Sequence, residues 1–476
     1  MEHERVSEPE GGTSPASNYA LQLRSLRAFY ETHATHPVSF RVEQLRTLGR
    51  AIESRENDLL EALYADLRKP RLETYVSEIA VVQTDISHAI RHLKRWTHVQ
   101  RRRTPPIAWP GRSSVYPEPY GVVLIMGPWN YPFQLLFSPM VGAMAAGNCV
   151  CLKPSELAPT TSALIAQMGS EVFSPDYVTV VEGGRDVAEE LLRERFDHVF
   201  FTGSTTVGRA VMEAAAQHLT PVTLELGGKS PCVVCRDVNV ETAARRIMWG
   251  KCLNAGQTCV APDFVLVDRQ IKDLLLQATE RALDRFFGES AQSSKDFGRI
   301  VNRRHFDRLV SYLLQGRIVC GGDYDERDLF IAPTIMTDID PESPLMQEEI
   351  FGPILPVLEF SDLDEVVSML RDRPKPLALY LFTEDRSIQN QVIAETVSGG
   401  VCVNDTVSHI LGKDLPFGGV GASGMGTYRG KAGFDCFTHY KSVLRRSMLV
   451  DPTFRYPPAS VSLATLKRVA RFLLQR

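Results

Sequence analysis

Apolar residues recur every three or four positions between residues 21 and about 69, the spacing of one face of an α-helix. Leu45, Leu48 and Ile52 belong to this pattern. Pro37 interrupts it, and because proline is disfavoured inside a helix, we expect two helices separated there. A further helix is predicted from residue 79 to about residue 96.

Residues 121–152 contain no charged side chain, which raises the question of a membrane span. The prolines and polar amides inside this segment argue against one. The segment divides better into a strand at Val122–Met126, a loop, a buried helix and a strand at 149–152. Near-continuous apolar strands of this kind are typical of parallel sheets covered on both faces.

Strands and helices continue to alternate after this unit. A second alternating pattern begins after Gly227 and ends near Gly426. Such alternation predicts an α/β protein with open, twisted, parallel sheets. The segments of the first pattern are strands at 177–181, 198–201 and Val222–Leu226, with helices at 187–194 and from near Thr206.

The two ends of the chain differ from the centre. Residues 1–18 are polar and lack an apolar stretch suited to a signal peptide, so we expect a disordered lead-in. Residues 101–119 hold too many prolines for a core helix. Residues 436–449 are strand-like.

The tail, residues 460–476, has the pattern of a basic amphipathic helix. Its apolar residues fall on one face, while Lys467, Arg468 and Arg471 supply positive charge that no acidic residue offsets. It is too short and too polar to span a bilayer. Two interpretations stay open: a helix lying in a membrane interface, and a helix packed on its own subunit or on a dimer partner.

Length and composition narrow the class of protein. A chain of 476 residues can form two or three domains with full cores. A net charge of −4 gives no basic field, so we expect no nucleic-acid partner. The nine cysteines show no secreted-type framework and indicate a reduced, cytoplasmic protein. Cys232 and Cys235 share a strand-like run without a second cysteine pair or histidine cluster, so we expect buried thiols and no metal site.

Two polar turns carry candidate chemistry. Residues 254–259 form a Gly-containing turn that presents the thiol of Cys259, and residues 224–231 present the carboxylate of Glu225. A thiol and a carboxylate from neighbouring loops suit covalent catalysis followed by hydrolysis. Each turn alone is weak, since most single cysteines fill cores.

Together with five other segments, these turns resemble the aldehyde dehydrogenase superfamily in order and content. The resemblance extends from about Arg24 to Pro458, and the two chain ends look most like the class 3 branch, which includes the fatty aldehyde dehydrogenases. The segments that carry it are 127–132, 152–156, 201–208, 224–231, 254–259, 348–353 and 416–424.

The resemblance implies an aldehyde dehydrogenase-like fold with two open, twisted, parallel α/β domains and a small β arm for oligomerisation, in a homodimer. The expected divisions follow the family. They are a lead-in (1–18), a Rossmann-like NAD(P)-binding domain (19–101 and 120–226), a catalytic domain (227–428), the arm (102–119 and 436–452) and a basic amphipathic helix (459–476).

The resemblance also assigns chemistry. Cys259 would add to the aldehyde to form a thiohemiacetal, and Asn130 would donate to its oxyanion together with the backbone N–H of Cys259. Hydride would pass to a nicotinamide, leaving a thioester for Glu225 to hydrolyse as general base. Outside the family context, Asn130 would be a turn residue and Glu225 a strand-end carboxylate. Glu349 is a second candidate base.

The expected cofactor is NAD, with NADP also used in the branch. Gly203, Ser204 and Gly208 lie between a strand and a helix, where free N–H groups favour a pyrophosphate. In related enzymes the positions of Lys153 and Glu156 hold the adenosine ribose, and the acidic residue favours NAD. Those of Glu349 and Phe351 contact the nicotinamide ribose and the side of the ring.

Aromatic residues suggest the substrate. Tyr131 and Trp249, with Trp129 and Phe133, would surround an apolar funnel in the family geometry, which favours a medium-chain, long-chain, aromatic or isoprenoid-like aldehyde. The alternative is that they build the core. Tyr75 matches a class 3 position near the catalytic site, or packs a helix. Where the branch often has histidine, this chain has Arg429.

The sequence thus predicts an NAD(P)-dependent aldehyde dehydrogenase in the cytoplasm, with peripheral membrane contact through its tail as a hypothesis. Two alternatives stay open. An acylating relative would pass the thioester to coenzyme A, and a non-catalytic scaffold would keep the fold. Glu225 favours hydrolysis, and the combination of Cys259, Asn130 and Glu225 favours catalysis.

Overall fold

The computed structural model describes residues 18–105, 108–451, 456–458 and 461–474. The predicted disordered lead-in lies, apart from Asn18, outside the described residues. The chain forms two compact units, a large one of Met1–Trp96 and Pro119–His439 and a small one of Thr97–Glu118 and Tyr440–Arg476.

The α-helices follow the predicted spacing of apolar residues, with their bounds set by capping and breaking residues. They are α1 (Asn18–Glu31), α2 (Val38–Ser54), α3 (Glu56–Leu67), α4 (Arg71–Thr74), α5 (Ala80–Trp96), α6 (Gln134–Ala146), α7 (Pro159–Val172), α8 (Arg185–Arg193), α9 (Thr205–Ala216), α10 (Val240–Cys252), α11 (Lys272–Phe287), α12 (Arg303–Tyr312), α13 (Pro344–Gln347), α14 (Leu363–Asp372), α15 (Arg386–Glu395), α16 (Gly430–Cys436) and α17 (Leu463–Leu474).

The β-strands are short and mostly buried. They are β1 (Gln100–Arg102), β2 (Arg112–Pro119), β3 (Val122–Met126), β4 (Cys149–Lys153), β5 (Val178–Val180), β6 (His198–Gly203), β7 (Val222–Leu226), β8 (Pro231–Val234), β9 (Phe264–Asp268), β10 (Arg317–Cys320), β11 (Tyr324–Asp325), β12 (Phe330–Ile331), β13 (Thr334–Thr337), β14 (Ile354–Phe360), β15 (Ala378–Phe382), β16 (Gly400–Val403), β17 (Gly424–Met425) and β18 (Thr438–Arg445).

The first sheet of the large unit has the order β17-β7-β6-β3-β4-β5. Its strands are parallel except at the β17 edge, which runs antiparallel to β7. Every residue of β3 and β4 is buried, as expected for strands covered on both faces. The segment without charged residues, 121–152, is therefore a strand, helix and strand inside this domain.

The second sheet has the order β10-β13-β14-β9-β8-β15-β16 and is parallel apart from β10. Cys232 lies inside β8 and Cys235 directly follows it, and both thiols are buried. No group of three or more metal-binding side chains occurs within the part of the chain that is described.

Two local features depart from the predicted pattern. The helix expected from residue 79 is preceded by a π-helical turn at Tyr75–Ile79, which widens the backbone before α5. The strand-like segment expected at 436–449 is wrong at both ends: Cys436 closes α16, and β18 ends at Arg445. At this end of α16, the half-buried thiol of Cys436 lies 3.1 Å from the hydroxyl of Thr223.

The small unit contains an antiparallel sheet of order β1-β2-β18, to which Lys441 and Glu118 add an ion pair. Its tail forms the helix α17, with Leu463 and Leu466 exposed at 67% and 49%. Among the described residues, no helix has the length and apolar character needed to cross a bilayer.

Candidate active site

The turn that carries Cys259 has an unusual backbone. Directly after α10, Asn254 and Ala255 have φ values of 51° and 52°, and Gly256 follows at 75°. Left-handed backbone is disfavoured for residues with a Cβ atom, so Asn254 and Ala255 keep it only where surrounding contacts hold them, whereas Gly256 adopts it readily. The turn reverses the chain and places Cys259 at a half-buried position beside a cavity.

Gln257 is the main support of this turn. Its side-chain amide donates to the carbonyls of Asn254 and Arg299, at 3.0 and 2.9 Å, and its oxygen accepts the Val301 N–H at 3.0 Å. A second support is Glu73, whose Oε1 accepts the Asn254 N–H at 2.7 Å. Desolvation raises the pKa of Glu73 to about 7 against the lowering effect of a nearby lysine.

Asn130 connects the first domain to the turn. Its Nδ2 donates to the Gln257 carbonyl at 3.0 Å, and its own carbonyl accepts the Asn254 side-chain amide at 2.8 Å. Asn130 is buried. Because an amide nitrogen carries two hydrogens, one remains available for an oxygen atom that forms near Cys259.

A buried ion pair holds Asn130 from behind. Lys69 and Glu78 are both fully buried, and Lys69 Nζ lies 2.6 Å from Glu78 Oε1. The same Nζ donates to the Asn130 carbonyl at 3.0 Å and lies 3.9 Å from the centre of the Tyr131 ring. Glu78 Oε2 accepts the N–H of Gln134 at the start of α6, at 2.8 Å. The pair thus fixes the loop before α6 that carries Asn130.

Glu225 lies in β7, where it is paired with Thr202 of β6 on one side and with Gly424 of β17 on the other. The side chain is buried, and neither carboxylate oxygen has a hydrogen-bond partner among the described residues. Burial raises the pKa of Glu225 well above its usual range, and the charge of Arg429 opposes this rise. A buried carboxyl free of partners can accept or release a proton for another molecule.

The surroundings of Cys259 disfavour the thiolate form of its side chain. Burial raises its pKa to about 12, and the carboxylates of Glu349 and Glu225 add to the rise. The thiolate is the nucleophilic form, so deprotonation has to be assisted when substrate and cofactor are bound.

Glu349 lies close to the glycines that follow β7. A Cβ atom on Gly227 would sit 2.0 Å from Glu349 Oε2, so a larger residue there would displace this carboxyl group. Desolvation raises the pKa of Glu349 to about 8, and its Oε1 has no hydrogen-bond partner among the described residues. Phe351, at φ 51°, packs its ring at 5.4 Å against Trp129.

Five of the predicted cofactor residues lie at or beyond the ends of β6 and β4, the two strands that flank β3 in the first sheet. Gly203 ends β6, and Ser204 caps α9 by accepting the Val207 N–H at 3.4 Å. Gly208, inside α9, faces Leu226 of β7. The helix start leaves backbone N–H groups for a phosphate, so these residues fit a dinucleotide.

Lys153 and Glu156 lie at the second of these strand ends. Lys153 is the last residue of β4, and Glu156 follows three residues later. Lys153 Nζ donates to the Gly183 carbonyl at 2.8 Å and lies 3.4 Å from Glu156 Oε2. The Glu156 side chain is 47% exposed. A half-exposed carboxylate beside a fixed ammonium group fits the hydroxyls of a ribose.

A cavity of about 440 Å³ reaches Cys259. Tyr131 and Trp249 line it, as predicted for the funnel, and the Tyr131 hydroxyl lies 2.7 Å from the Thr258 hydroxyl. Its lining is dominated by apolar side chains, which include Leu72, Val76, Val81, Leu135, Val260, Phe286, Phe287, Val407, Ile410, Leu411 and Phe417.

Three aromatic residues expected near the substrate lie elsewhere. Tyr75 is not among the residues that line this cavity and is 43% exposed, because Glu73, Val76 and Ser77 occupy the helical face turned toward it. Phe133 is fully buried and stacks on Phe137 at 4.3 Å. Trp129 packs on Phe351.

Several residues of the site carry no sequence pattern that would single them out. Lys69, Glu73 and Glu78 look like polar positions of ordinary helices, and their lone clue is Pro70, which breaks the helix between them. Arg429 stands out only as a departure from the class 3 pattern.

Comparison with known proteins supports the predicted family. The profile described as Aldehyde dehydrogenase family matches residues 13–443. The chain is 48% identical over 434 residues to 4,4'-diaponeurosporen-aldehyde dehydrogenase of Staphylococcus aureus (strain NCTC 8325 / PS 47), covering 91% of this chain and 95% of the relative. It is 45% identical over 448 residues to the dimeric NADP-preferring aldehyde dehydrogenase of Canis lupus familiaris, covering 94% and 98%.

A solved structure of similar sequence has the same architecture. The substrate-bound state of Staphylococcus aureus AldH matches with a TM-score of 0.92 and 46% identity, over 94% of this chain and 99% of that one. The fold and these matches define an NAD(P)-dependent oxidoreductase. The chain belongs to the aldehyde dehydrogenase family, and the predicted fold and activity class are confirmed.

Proposed function

We propose that this enzyme oxidises apolar aldehydes to carboxylic acids through a covalent intermediate on Cys259. The observation that carries the proposal is the cavity of about 440 Å³, whose predominantly apolar walls lead to the Cys259 thiol. Apolar walls recognise a hydrocarbon chain by burying it, at roughly 25 cal/mol per Å² of surface removed from water. A short or charged aldehyde gains little from such walls.

Two hydrogen-bond donors are proposed for the addition step. The Cys259 thiol gives its proton to water, its sulfur bonds to the aldehyde carbon, and the carbonyl oxygen becomes an oxyanion that needs donors already in place. Asn130 is held by hydrogen bonds to Gln257 and Lys69, so its free amide hydrogen would donate without reorganisation. The Cys259 backbone N–H is the second proposed donor.

Bound NAD(P)+ supplies the carbon that accepts the hydride. Lys153 and Glu156 are the proposed partners of the adenosine ribose, and Gly203, Ser204 and Gly208 the proposed pyrophosphate turn. The proposed partner of the nicotinamide ribose is Glu349, whose orphaned Oε1 is available as an acceptor, with Phe351 beside the ring. NAD is the proposed preference, because the carboxylate of Glu156 would repel a 2′-phosphate.

Hydrolysis completes the cycle with Glu225 as the proposed base. In this step a water oxygen bonds to the thioester carbon, its proton passes to Glu225, and the Cys259 thiolate leaves. The carboxyl group of Glu225 is buried and has no hydrogen-bond partner among the described residues, which favours a role as base over a purely structural role. The acylating alternative would instead transfer the acyl group to coenzyme A.

An aldehyde panel tests this function. Reduced cofactor is followed by its absorbance for straight-chain aldehydes of increasing length, without coenzyme A. We expect kcat/KM to rise with chain length by a factor of about four per methylene, since each buried CH₂ contributes about 0.8 kcal/mol. Equal rates for short, charged and long aldehydes would contradict the apolar substrate. Acid formed only with coenzyme A would establish the acylating alternative.

Two further features of assembly are proposed. The arm sheet of β1, β2 and β18 would pair two chains in a homodimer, an inference supported by the dimeric relative of Canis lupus familiaris. Helix α17 would lie in a membrane interface, supported by the exposure of Leu463 and Leu466 beside Lys467 and Arg471.

A further inference from the structure

Arg429 is a buried cation in the wall of the cavity that reaches Cys259. It is 8% exposed and its φ of +83° lies where residues with a Cβ atom are disfavoured. Both the desolvated charge and the backbone conformation are unfavourable in isolation. Contacts of the folded site must therefore hold Arg429 in place.

Asp85 of α5 provides one such contact. Its Oδ2 lies 3.6 Å from Nη1 of Arg429 and accepts the hydroxyl of Ser138 at 2.6 Å. Ser138 in turn accepts the side-chain amide of Gln134 at 3.2 Å, which ties the carboxylate to α6. The anchor leaves part of the guanidinium unused, since Nε has no hydrogen-bond partner among the described residues.

Glu225 is the second acidic group near this guanidinium. Gly424 of β17 pairs with Glu225, and Arg429 follows this strand by four residues, directly before α16. Burial raises the pKa of Glu225, and the charge that acts against this rise is that of Arg429. Burial raises the pKa of the other titratable groups here, which lie on the turn that carries Cys259, on the loop after β17 and on α16. They are Cys259, Tyr428 and Cys436.

We propose that Arg429 is a positioning residue for hydrolysis: anchored by Asp85, its guanidinium keeps a negative charge on Glu225 tolerable inside the buried site. The inference rests on the proposed function, in which Glu225 accepts the proton of the attacking water. Without a cation nearby, a buried carboxyl retains its own proton and cannot accept another. Arg429 touches no reacting atom in this scheme and acts through Glu225.

The test separates the two halves of the reaction by rapid mixing. Each variant is mixed with NAD and a long-chain aldehyde over a range of pH, and both the burst of reduced cofactor and the later steady rate are recorded. Removal of an opposite charge typically raises a carboxyl pKa by about one unit or more. For Arg429→Gln we therefore expect a burst of normal size, with the rise of the steady rate displaced to higher pH.

Conservative variants distinguish an electrostatic role from a structural one. Arg429→Lys keeps the charge and should restore the wild-type pH profile. Arg429→His, which loses its charge as pH rises, should give a displacement between those of the Gln and Lys variants. Because Arg429→Gln can fail to fold, the comparison of the Lys and His variants tests the proposal alone: identical profiles for these two would overturn it.

The remaining outcomes are also decisive. An unchanged profile in a folded Arg429→Gln enzyme would overturn the proposal, and equal loss of burst and steady rate in all three variants would show a structural role. Failure of the proposed base is recognised separately, because Glu225→Gln would then retain normal hydrolysis. In that case the role of Arg429 falls with it.

Discussion

The side-chain amide of Asn130 donates to the backbone carbonyl of Gln257 at 3.0 Å, and this bond joins two parts of the chain that lie 127 positions apart. Its consequence is local. The amide that would donate to the developing oxyanion is bonded to the same turn that carries Cys259. The proposed donor and the proposed nucleophile therefore keep a fixed separation.

Replacement of the thiol tests the nucleophile. Cys259→Ala should abolish dehydrogenase turnover while cofactor binding and thermal stability stay close to wild type, because alanine removes only the sulfur atom of a half-buried side chain. Steady-state formation of reduced cofactor is the measurement. Cys320→Ala, at a half-buried position outside the cavity lining, is the control. Activity above about a tenth of wild type would move the nucleophile elsewhere, with Cys252 in the same cavity as the next candidate.

Replacement of the proposed base tests the order of steps. Glu225→Gln should slow hydrolysis more than hydride transfer, since the base acts after the thiohemiacetal has collapsed. Rapid mixing should show a burst of reduced cofactor followed by slow turnover. Glu349→Gln is the matched comparison, because it is also a buried carboxyl beside Cys259 with a raised pKa. A burst with Glu349→Gln, and none with Glu225→Gln, would exchange the two assignments.

Cofactor choice is predicted to depend on Glu156. Glu156→Gln removes the carboxylate that would repel a 2′-phosphate, so the ratio of kcat/KM for NAD to that for NADP should fall. Glu189→Gln, on the exposed face of α8, is the control for a simple change of net charge. If both variants keep the wild-type ratio, Glu156 does not face the ribose.

The buried pair of Lys69 and Glu78 predicts a stability effect. Glu78→Gln leaves the ammonium group of Lys69 buried without its anion, and breaking a buried pair in this way costs about 3–5 kcal/mol. Urea unfolding should therefore show a lower midpoint. Asp307→Asn breaks the exposed pair with Arg303 and should leave the midpoint nearly unchanged. Equal midpoints for wild type and Glu78→Gln would mean that Lys69 finds another partner or becomes neutral.

Membrane contact is predicted for the tail. The full chain should float with liposomes that contain anionic lipid, and a chain ending at Pro458 should remain in the soluble fraction, since the apolar face and basic residues of α17 supply the affinity. A full chain with Lys467→Glu and Arg471→Glu tests the charge contribution and should float less. Equal flotation of all three proteins would leave α17 as a packing helix.

Sequence alone predicted the parts of this protein that depend on repeated local patterns. Apolar runs such as Val122–Met126 have few alternatives to a buried strand, and the ordered motifs led to the family. The rest depends on contacts between distant residues. Nothing in the chain around Arg429 indicates that Asp85 anchors it, and the left-handed Ala255 is held by contacts made through Gln257. Tyr75 shows the limit of motif matching, because a shift of one or two residues along a helix changes the face on which a side chain lies.

The pairing of Gly424 with Glu225 also has a consequence for biosynthesis. The ribosome makes Cys259 long before it makes β17 and Arg429, so a nascent or prematurely ended chain can carry the proposed nucleophile and the strand of the proposed base without the edge strand that pairs with it. Proteins of this size fold partly during synthesis. If Glu225 is the base, assembly of its surroundings therefore requires about the last tenth of the chain, and we expect truncated products to be poor catalysts even when most of both sheets has formed.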